Sequence, residues 1–405
     1  MIKLRPENFG GLIFNTKNGV RLDLDQSGFA LTKDFIQKRK IALSKSQQIF
    51  LQDLCQKLNL NKTESYSIQP LKVKKINYPF AVLNSPVLVD FQITGKCNLA
   101  CPHCYAQASS QGRHVPLKDI ILVLEQCRQA GVLEVALGGG EPTIHPDFAK
   151  ILKIATKKGL VVNLATNGKT MTKSLARQLA NYCGAVALSL EFINAEFKKR
   201  RGYDFAKFLN SVKLIKDSGL RLVFQITVSA QNLDKLESIV KFLSPYQPYG
   251  VVFLTYKPVG RGEFFDSPLF NIKSRRILAR LNQCFKILQQ HQVKIGYDCC
   301  LGNLITGIDR ETGGEIYGCS ALRESVAVDT GLNVLPCSFI KGGRLGNLKE
   351  QNLLTIWHNH QAELFRQQFL AKITQNAVCK ICPHKLTCLG GCPVFNLVRC
   401  QKLSP

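Results

Sequence analysis

Three cysteines stand within eight residues in the run Cys97-Asn98-Leu99-Ala100-Cys101-Pro102-His103-Cys104. Three thiolates so placed can ligate three irons of a [4Fe-4S] cluster and leave the fourth iron open. An open iron can bind the amino and carboxylate groups of the methionine part of S-adenosylmethionine (SAM). An electron from the reduced cluster then breaks the sulfonium bond, and the resulting 5′-deoxyadenosyl radical abstracts hydrogen from unactivated carbon. The competing reading is a structural zinc, which needs a fourth ligand nearby. His103 offers one, but it sits between two of the cysteines.

A second concentration lies further along. Seven of the 16 cysteines fall between Cys319 and Cys400, and the run Cys379-x2-Cys382-x5-Cys388-x3-Cys392 holds four of them. The start of the chain, MIKLRPENFGG, has no apolar run behind its basic residues, so a reducing, cytoplasmic setting is expected. There, dense cysteine spacing argues for metal over disulfides. Taken alone, the last four also suit a zinc ribbon. Cys55, Cys127, Cys183 and Cys284 lie in helical or strand patterns and read as small buried hydrophobes.

The elements around the first run alternate. Strands are expected at 87–94, 133–137, 160–165, 185–190, 220–229 and 251–256. Helices are expected at 116–130, 147–157, 172–181, 205–218 and 233–243. Pro116 suits a first helical turn. Such alternation implies a parallel sheet with right-handed crossovers, and six units close most of a barrel. The cysteine triplet, the Gly138-Gly139-Gly140-Glu141 run and Thr166-Asn167-Gly168 each follow a strand. They therefore converge on the carboxyl-end face, where barrels place their sites.

Before this unit, strand-like runs 11–16 and 20–24 flank Lys17-Asn18-Gly19, a hairpin signal. Two helices follow, the second after Ser44 with Ile49, Phe50, Leu51, Leu54 and Leu58 as its apolar face, and a polar linker begins at 61–67. After the barrel, a helix at 275–291 leads to an irregular, cysteine-rich remainder. The expected fold is α/β: a partial (β/α)6 TIM-like barrel, a small N-terminal α+β, winged-helix-like unit and a cysteine-rich C-terminal domain. The divisions fall at 1–78, 79–265, 266–295 and 296–405.

Cys-x3-Cys-x2-Cys followed by Tyr105, after the first barrel strand, resembles the signature of the radical SAM superfamily. The resemblance runs from Pro86 to about Gly262. It implies that Cys97, Cys101 and Cys104 ligate the cluster. Gly139, Gly140 and Glu141 match the Gly-Gly-Glu motif that holds the methionine amino group, and glycine lets the backbone approach a ligand closely. His103 sits where the family has an aromatic near adenine. Asn167 and Ser189 match positions lining the ribose and the methionine carboxylate, and Glu191 stands where many members have Asp. Pro258-x-Gly260-Arg261 resembles a segment of the same branch.

The later cysteines resemble the SPASM domain, which carries auxiliary [4Fe-4S] clusters; Gly346-Asn347-Leu348 and Trp357 fit its intervening segment. The resemblance implies one or two auxiliary clusters. Cys379, Cys382, Cys388 and Cys400 would ligate one, and Cys319, Cys337 and Cys392 the other. Its fourth ligand is Cys299 or Cys300, or the site stays open to substrate. One extra residue separates Gly331 from Cys337 relative to the usual pattern. Leu4-Arg5-Pro6-Glu7-Asn8-Phe9-Gly10-Gly11 and the elements after it resemble the peptide-recognition domain of ribosomal peptide-modifying systems, which adds a leader peptide to a sheet edge.

Together these resemblances imply a radical SAM oxidoreductase that crosslinks or epimerises a ribosomally made precursor peptide. Its electron donor would be one such as flavodoxin or ferredoxin. The alternatives are sulfatase-maturase-like residue oxidation, assembly of a small-molecule cofactor or, from another class, an RNA-binding protein with structural clusters. The net charge of +26 permits RNA, yet the basic residues are scattered, with only short runs such as Lys198-Lys199-Arg200-Arg201 on what reads as a solvated surface. Cluster-bound thiolates lower the true excess. At roughly 150 residues per domain the 405 residues make two or three domains. No stretch reaches the ~18 apolar residues of a membrane helix.

Overall fold

A computed structural model describes the chain apart from residues 40–41, 60–64, 75, 266–268, 270–271, 306–317, 341, 399 and 401–405. The N-terminal sheet has the order β3-β2-β1-β4, with β1 Ile2–Glu7, β2 Gly10–Asn15, β3 Arg21–Asp25 and β4 Tyr66–Ile68. The expected hairpin joins β2 to β3. β1 and β4 were not expected. Pro6 argues against a strand, but β4 covers only Ile2–Leu4, so the missing N–H of Pro6 falls where no second partner needs it. Ser67 thus belongs to a strand rather than to the expected linker, of which 61–64 lie outside the described residues. Helices α1 (Gln26–Ile36) and α2 (Lys45–Leu58) cover the sheet. Ser44 and Gln47 close a capping box at the start of α2. Leu51, Leu54 and Leu58 are buried, whereas Ile49, expected on that face, is 57% exposed.

The main sheet runs β11-β10-β9-β8-β7-β6-β5-β12-β13-β14. Its strands are β5 Leu88–Thr94, β6 Glu134–Gly139, β7 Val161–Thr166, β8 Cys183–Ser189, β9 Leu222–Val228, β10 Gly250–Thr255, β11 Lys294–Tyr297, β12 Ser325–Val328, β13 Asn333–Leu335 and β14 Gly346–Asn347. Neighbours from β11 to β12 are parallel, and β12-β13-β14 is antiparallel. The helices α3 (Leu117–Gln129), α4 (Phe148–Lys157) and α5 (Lys173–Tyr182) follow β5, β6 and β7. Next come α6 (Asn194–Arg201), α7 (Phe205–Asp217), α8 (Leu236–Leu243) and α9 (Ser274–Gln290). Pro116 is the N-cap of α3 rather than a residue of its first turn. α6 was not expected, because its sequence is mostly polar and carries no apolar stripe.

The six expected barrel strands are β5–β10, and the sheet extends beyond them on both sides. The cysteine-rich region supplies β12 to the edge of β5, and β11 extends the other side. Beyond it lie α10 (Cys299–Ile305), α11 (Leu353–Trp357), α12 (His360–Gln375), α13 (Ala377–Ile381) and α14 (Lys385–Cys388). Trp357 is fully buried and donates its indole N–H to the Leu83 carbonyl at 3.0 Å. No described helix is long and apolar enough to cross a membrane.

The N-terminal sheet docks at the amino ends of the barrel strands. Leu12 and Phe14 pack with Leu83 and Leu133, beside Val87 and Val161. Arg5, fully buried, donates to the carbonyls of Ser85, Pro86 and Gly131 at 2.9–3.0 Å and pairs with Glu7 at 2.7 Å. Glu7 also accepts from the Asn84 N–H at 2.7 Å. This small sheet thus lies at the opposite end of the barrel strands from the cysteine loop.

Candidate functional site

The cysteine loop leaves the carboxyl end of β5. Cys97, Cys101 and Cys104 lie close enough for their charges to act on one another. Burial pushes the Cys97 thiol up to about 11 and raises Cys101 as well. In a tetrahedral zinc site, with Zn–S near 2.3 Å, sulfurs sit about 3.8 Å apart. Among the described residues only Cys299, Cys300 and Cys392 gather to within 4.8 Å, so the triplet is more open than zinc requires. His103 turns away to Glu191, with Nε2 at 3.7 Å from its carboxylate. The donor set fits an iron–sulfur cluster better than zinc.

Gly139, Gly140 and Glu141 lie directly against this loop. The Gly140 N–H donates to the Thr94 carbonyl at 2.7 Å and the Glu141 N–H to the Lys96 carbonyl at 2.9 Å. A Cβ on Gly139 would stand 2.3 Å from the Thr94 oxygen, and one on Gly140 would stand 2.0 Å from the Lys96 oxygen. Glycine here admits the close approach of the chain's own cysteine loop. Glu141 is buried and its carboxylate is occupied. It accepts from Thr143 Oγ1 at 2.6 Å, Thr166 Oγ1 at 2.7 Å and the Asn167 N–H at 2.8 Å. Burial raises its pKa against these hydrogen bonds. Glu141 therefore ties β6 to the end of β7.

Asn167 donates to Asn98 Oδ1 at 2.8 Å and to the Cys97 sulfur at 3.9 Å. Ser189 ends β8, two residues before Glu191. Glu191 takes the Nε and Nη2 edge of Arg201 at 2.9 and 2.5 Å, while Nη1 reaches the Cys101 sulfur at 3.8 Å. Burial works against the Glu191 carboxylate, but Arg201 outweighs it and the pKa falls. Burial lowers His103 to about 4, so its imidazole is neutral. Arg201 was missed in the sequence, where it closes a basic run that reads as solvated. Arg261 clamps the loop from the far side: Nε donates to the Cys101 carbonyl at 3.0 Å and Nη1 to the Ala108 carbonyl at 2.7 Å.

The remaining cysteines form two groups. Cys299 and Cys300, at the start of α10, meet Cys392, and Cys299 also hydrogen-bonds Cys319. Cys337 lies near Cys319. Hydrogen bonds from Cys299 and Cys300 hold Cys392 far below the ordinary thiol range. The second group comprises Cys379, Cys382, Cys388 and Cys400. Cys127 and Cys284 are buried as expected of small hydrophobes, whereas Cys55 and Cys183 are only partly so.

Between the triplet and the first of these groups lies a polar set that the sequence did not reveal. Outward residues Val89, Phe91 and Ile93 of β5 are fully buried, while Asp90 faces inward. Ala136 and Asn163 are aligned with it on β6 and β7, and a Cβ on Gly138 would stand 3.6 Å from its Oδ1. Burial raises the pKa of Asp90, and the Ser338 hydroxyl opposes that shift. Tyr105 lies beside Asp90 and Ser338, and feels both Cys104 and Cys337. Lys257 pairs with Asp298 at 2.5 Å and sits over the Phe339 ring at 4.4 Å. Tyr256, from the same loop, instead donates to the Phe265 carbonyl at 2.6 Å.

Residues 91–243 match the radical SAM superfamily, and 319–383 match the SPASM iron–sulfur cluster-binding domain. The AdoMet-dependent heme synthase of Methanosarcina barkeri is 26% identical over 76% of this chain and 92% of its own length. The antilisterial bacteriocin subtilosin biosynthesis protein AlbA of Bacillus subtilis is 25% identical over 77% of this chain and 68% of its own. Among solved structures, Streptococcus suis SuiB bound to precursor peptide SuiA aligns with a TM-score of 0.72 at 21% identity, covering 99% of this chain and 98% of that one. The chain is thus an enzyme of the radical SAM superfamily that carries a C-terminal SPASM domain.

Proposed function

We propose that this enzyme oxidatively modifies, by crosslinking or epimerising, a ribosomally made peptide whose leader binds the N-terminal sheet. The observation that carries the reading is the fold likeness to SuiB bound to its precursor peptide. That likeness covers 99% of the chain and so takes in the N-terminal sheet as well as the barrel. β3 is an end strand of that sheet and offers an edge for strand addition. A leader held there raises the local concentration of the core peptide at the barrel. The leader site and the cysteine loop lie at opposite ends of the strands, so the peptide would run the length of the barrel.

Cys97, Cys101 and Cys104 would hold the SAM-binding [4Fe-4S] cluster. His103, Gly139, Gly140, Glu141, Asn167 and Ser189 would surround SAM, with Glu141 acting through the loop it ties down. When bound, the cluster and SAM supply a 5′-deoxyadenosyl radical to the barrel interior. Cys299, Cys319, Cys337 and Cys392 would hold one auxiliary cluster, and Cys379, Cys382, Cys388 and Cys400 a second. Asp90, Tyr105 and Ser338 stand between the first two cysteine groups and would contact the substrate. A carboxylate with a raised pKa suits acceptance of the proton that leaves as a new bond closes.

The heme synthase relative favours a second reading, assembly of a small-molecule cofactor. The test is 5′-deoxyadenosine release by the reconstituted enzyme with and without a short peptide encoded beside the gene. Stimulation by the peptide supports modification, and indifference to it favours the second reading.

A further inference from the structure

Among the described residues, the side chains that hydrogen-bond the triplet sulfurs are Asn167 and Arg201, and of these only Arg201 carries charge. Arg201 is the last residue of α6, and Gly202 closes the helix in the left-handed region at φ 75°. The next residue, Tyr203, donates its hydroxyl to the Asn167 carbonyl at 2.5 Å and packs on Phe197. The helix end is thus fastened to the loop that also carries a site residue. The guanidinium is 8% exposed, and its Nε–Nη2 edge is filled by Glu191, which leaves Nη1 for the Cys101 sulfur at 3.8 Å.

A buried, oriented N–H···S contact has a specific consequence in an iron–sulfur protein. Reduction adds one electron to the cluster and its thiolates, with no change elsewhere. A guanidinium N–H aimed at a ligand sulfur stabilises the more negative, reduced state more than the oxidised one. Glu191 opposes that effect from the other edge of the guanidinium, one group further from the sulfur.

We propose that Arg201 is a positioning residue that raises the reduction potential of the first cluster, with Glu191 as its attenuator. The proposal rests on Cys97, Cys101 and Cys104 as cluster ligands. It assigns the pair a role in how readily the enzyme accepts an electron, separate from any contact with SAM.

The test is a redox titration of the full, anaerobically reconstituted chain, followed by electron paramagnetic resonance in the absence of SAM. The first cluster is identified as the reduced signal that changes when SAM is added afterwards. In Arg201→Met, the ratio of reduced to oxidised first cluster at fixed potential falls about tenfold, which for a one-electron couple is about 59 mV. Glu191→Gln keeps a hydrogen-bonding partner but removes the opposing charge, and shifts the ratio the other way. Arg201→Lys restores part of the loss. An unchanged ratio in Arg201→Met at full iron content overturns the proposal, as does a shift of both variants in one direction. A loss confined to SAM affinity overturns it too. If Arg201→Met and Arg201→Lys both fail to hold the cluster, the residue is structural and the proposal falls. Absence of a SAM-responsive signal in the wild-type protein contradicts the ligand assignment itself, which separates the two failures.

Discussion

Arg261 reaches from the loop after β10 to the backbone of the cysteine loop, where its Nε donates to the Cys101 carbonyl at 3.0 Å. Its Nη1 holds Ala108 and its own N–H holds Cys104, at 2.7 and 3.0 Å. Removing the side chain leaves two carbonyls without these donors, at about 1–3 kcal/mol each if they stay buried. Arg261→Ala is expected to lower iron at the first site while the auxiliary sites keep theirs. Iron analysis with electron paramagnetic resonance reads this, and equal loss at all sites would contradict it.

Cys299 and Cys300 compete for one position. Both contact Cys392, but Cys299 also hydrogen-bonds Cys319, whereas Cys300 is 3% exposed and lies against the Asp298–Lys257 pair. Cys299→Ser should therefore cost about four irons per chain. Cys300→Ser should leave iron content unchanged. The reverse pattern would move the ligand to Cys300.

The Arg5–Glu7 pair is fully buried and fastens the N-terminal sheet to the barrel. Breaking such a pair from one side leaves an uncompensated charge and costs about 3–5 kcal/mol. Arg5→Met is expected to destabilise the protein by that order in denaturant titrations and to expose the first strands to protease. The double variant Arg5→Met/Glu7→Leu should recover part of the loss.

Lys3 is 4% exposed, and burial, with Arg5 adding to it, lowers its pKa to about 8. The folded state thus disfavours the charged form. Between pH 8 and 10.5 the unfolded chain holds more protons at Lys3, so this contribution to stability rises with pH in that window. Below pH 8 the penalty is present in full. Lys3→Met is expected to stabilise the protein at pH 7 by roughly 1–3 kcal/mol, since one pKa unit is worth about 1.4. The gain should shrink above pH 8. A gain independent of pH would point to packing instead.

Asp90→Asn keeps the shape of the side chain and removes its capacity to take a proton. Peptide modification should fall by about 10²-fold. Reductive SAM cleavage should persist, because among the described residues no hydrogen bond or ion pair joins Asp90 to Cys97, Cys101 or Cys104. Loss of both activities together would make Asp90 structural.

The legible parts of the site were those in which chemistry sits in a short run. The cysteine triplet, Gly139-Gly140-Glu141 and the later cysteines carry their spacing on the page, and the βα alternation placed the first two at strand ends. Arg201 was hidden because a run of four basic residues reads as solvated until Glu191 is known to be opposite. Asp90 was hidden because one polar residue in a strand normally marks the solvent face. Here that face is the barrel interior. The short strands β11 to β14 carry too few residues for alternation to show, so the extent of the sheet was underestimated.

The most direct test of the account is the intact mass of a short peptide encoded beside the gene, after anaerobic co-expression with this enzyme. Oxidative crosslinking predicts a loss of about two mass units, absent when Cys97, Cys101 and Cys104 are replaced by Ala, and epimerisation in heavy water predicts a gain of about one. A peptide that returns with neither change would contradict the account.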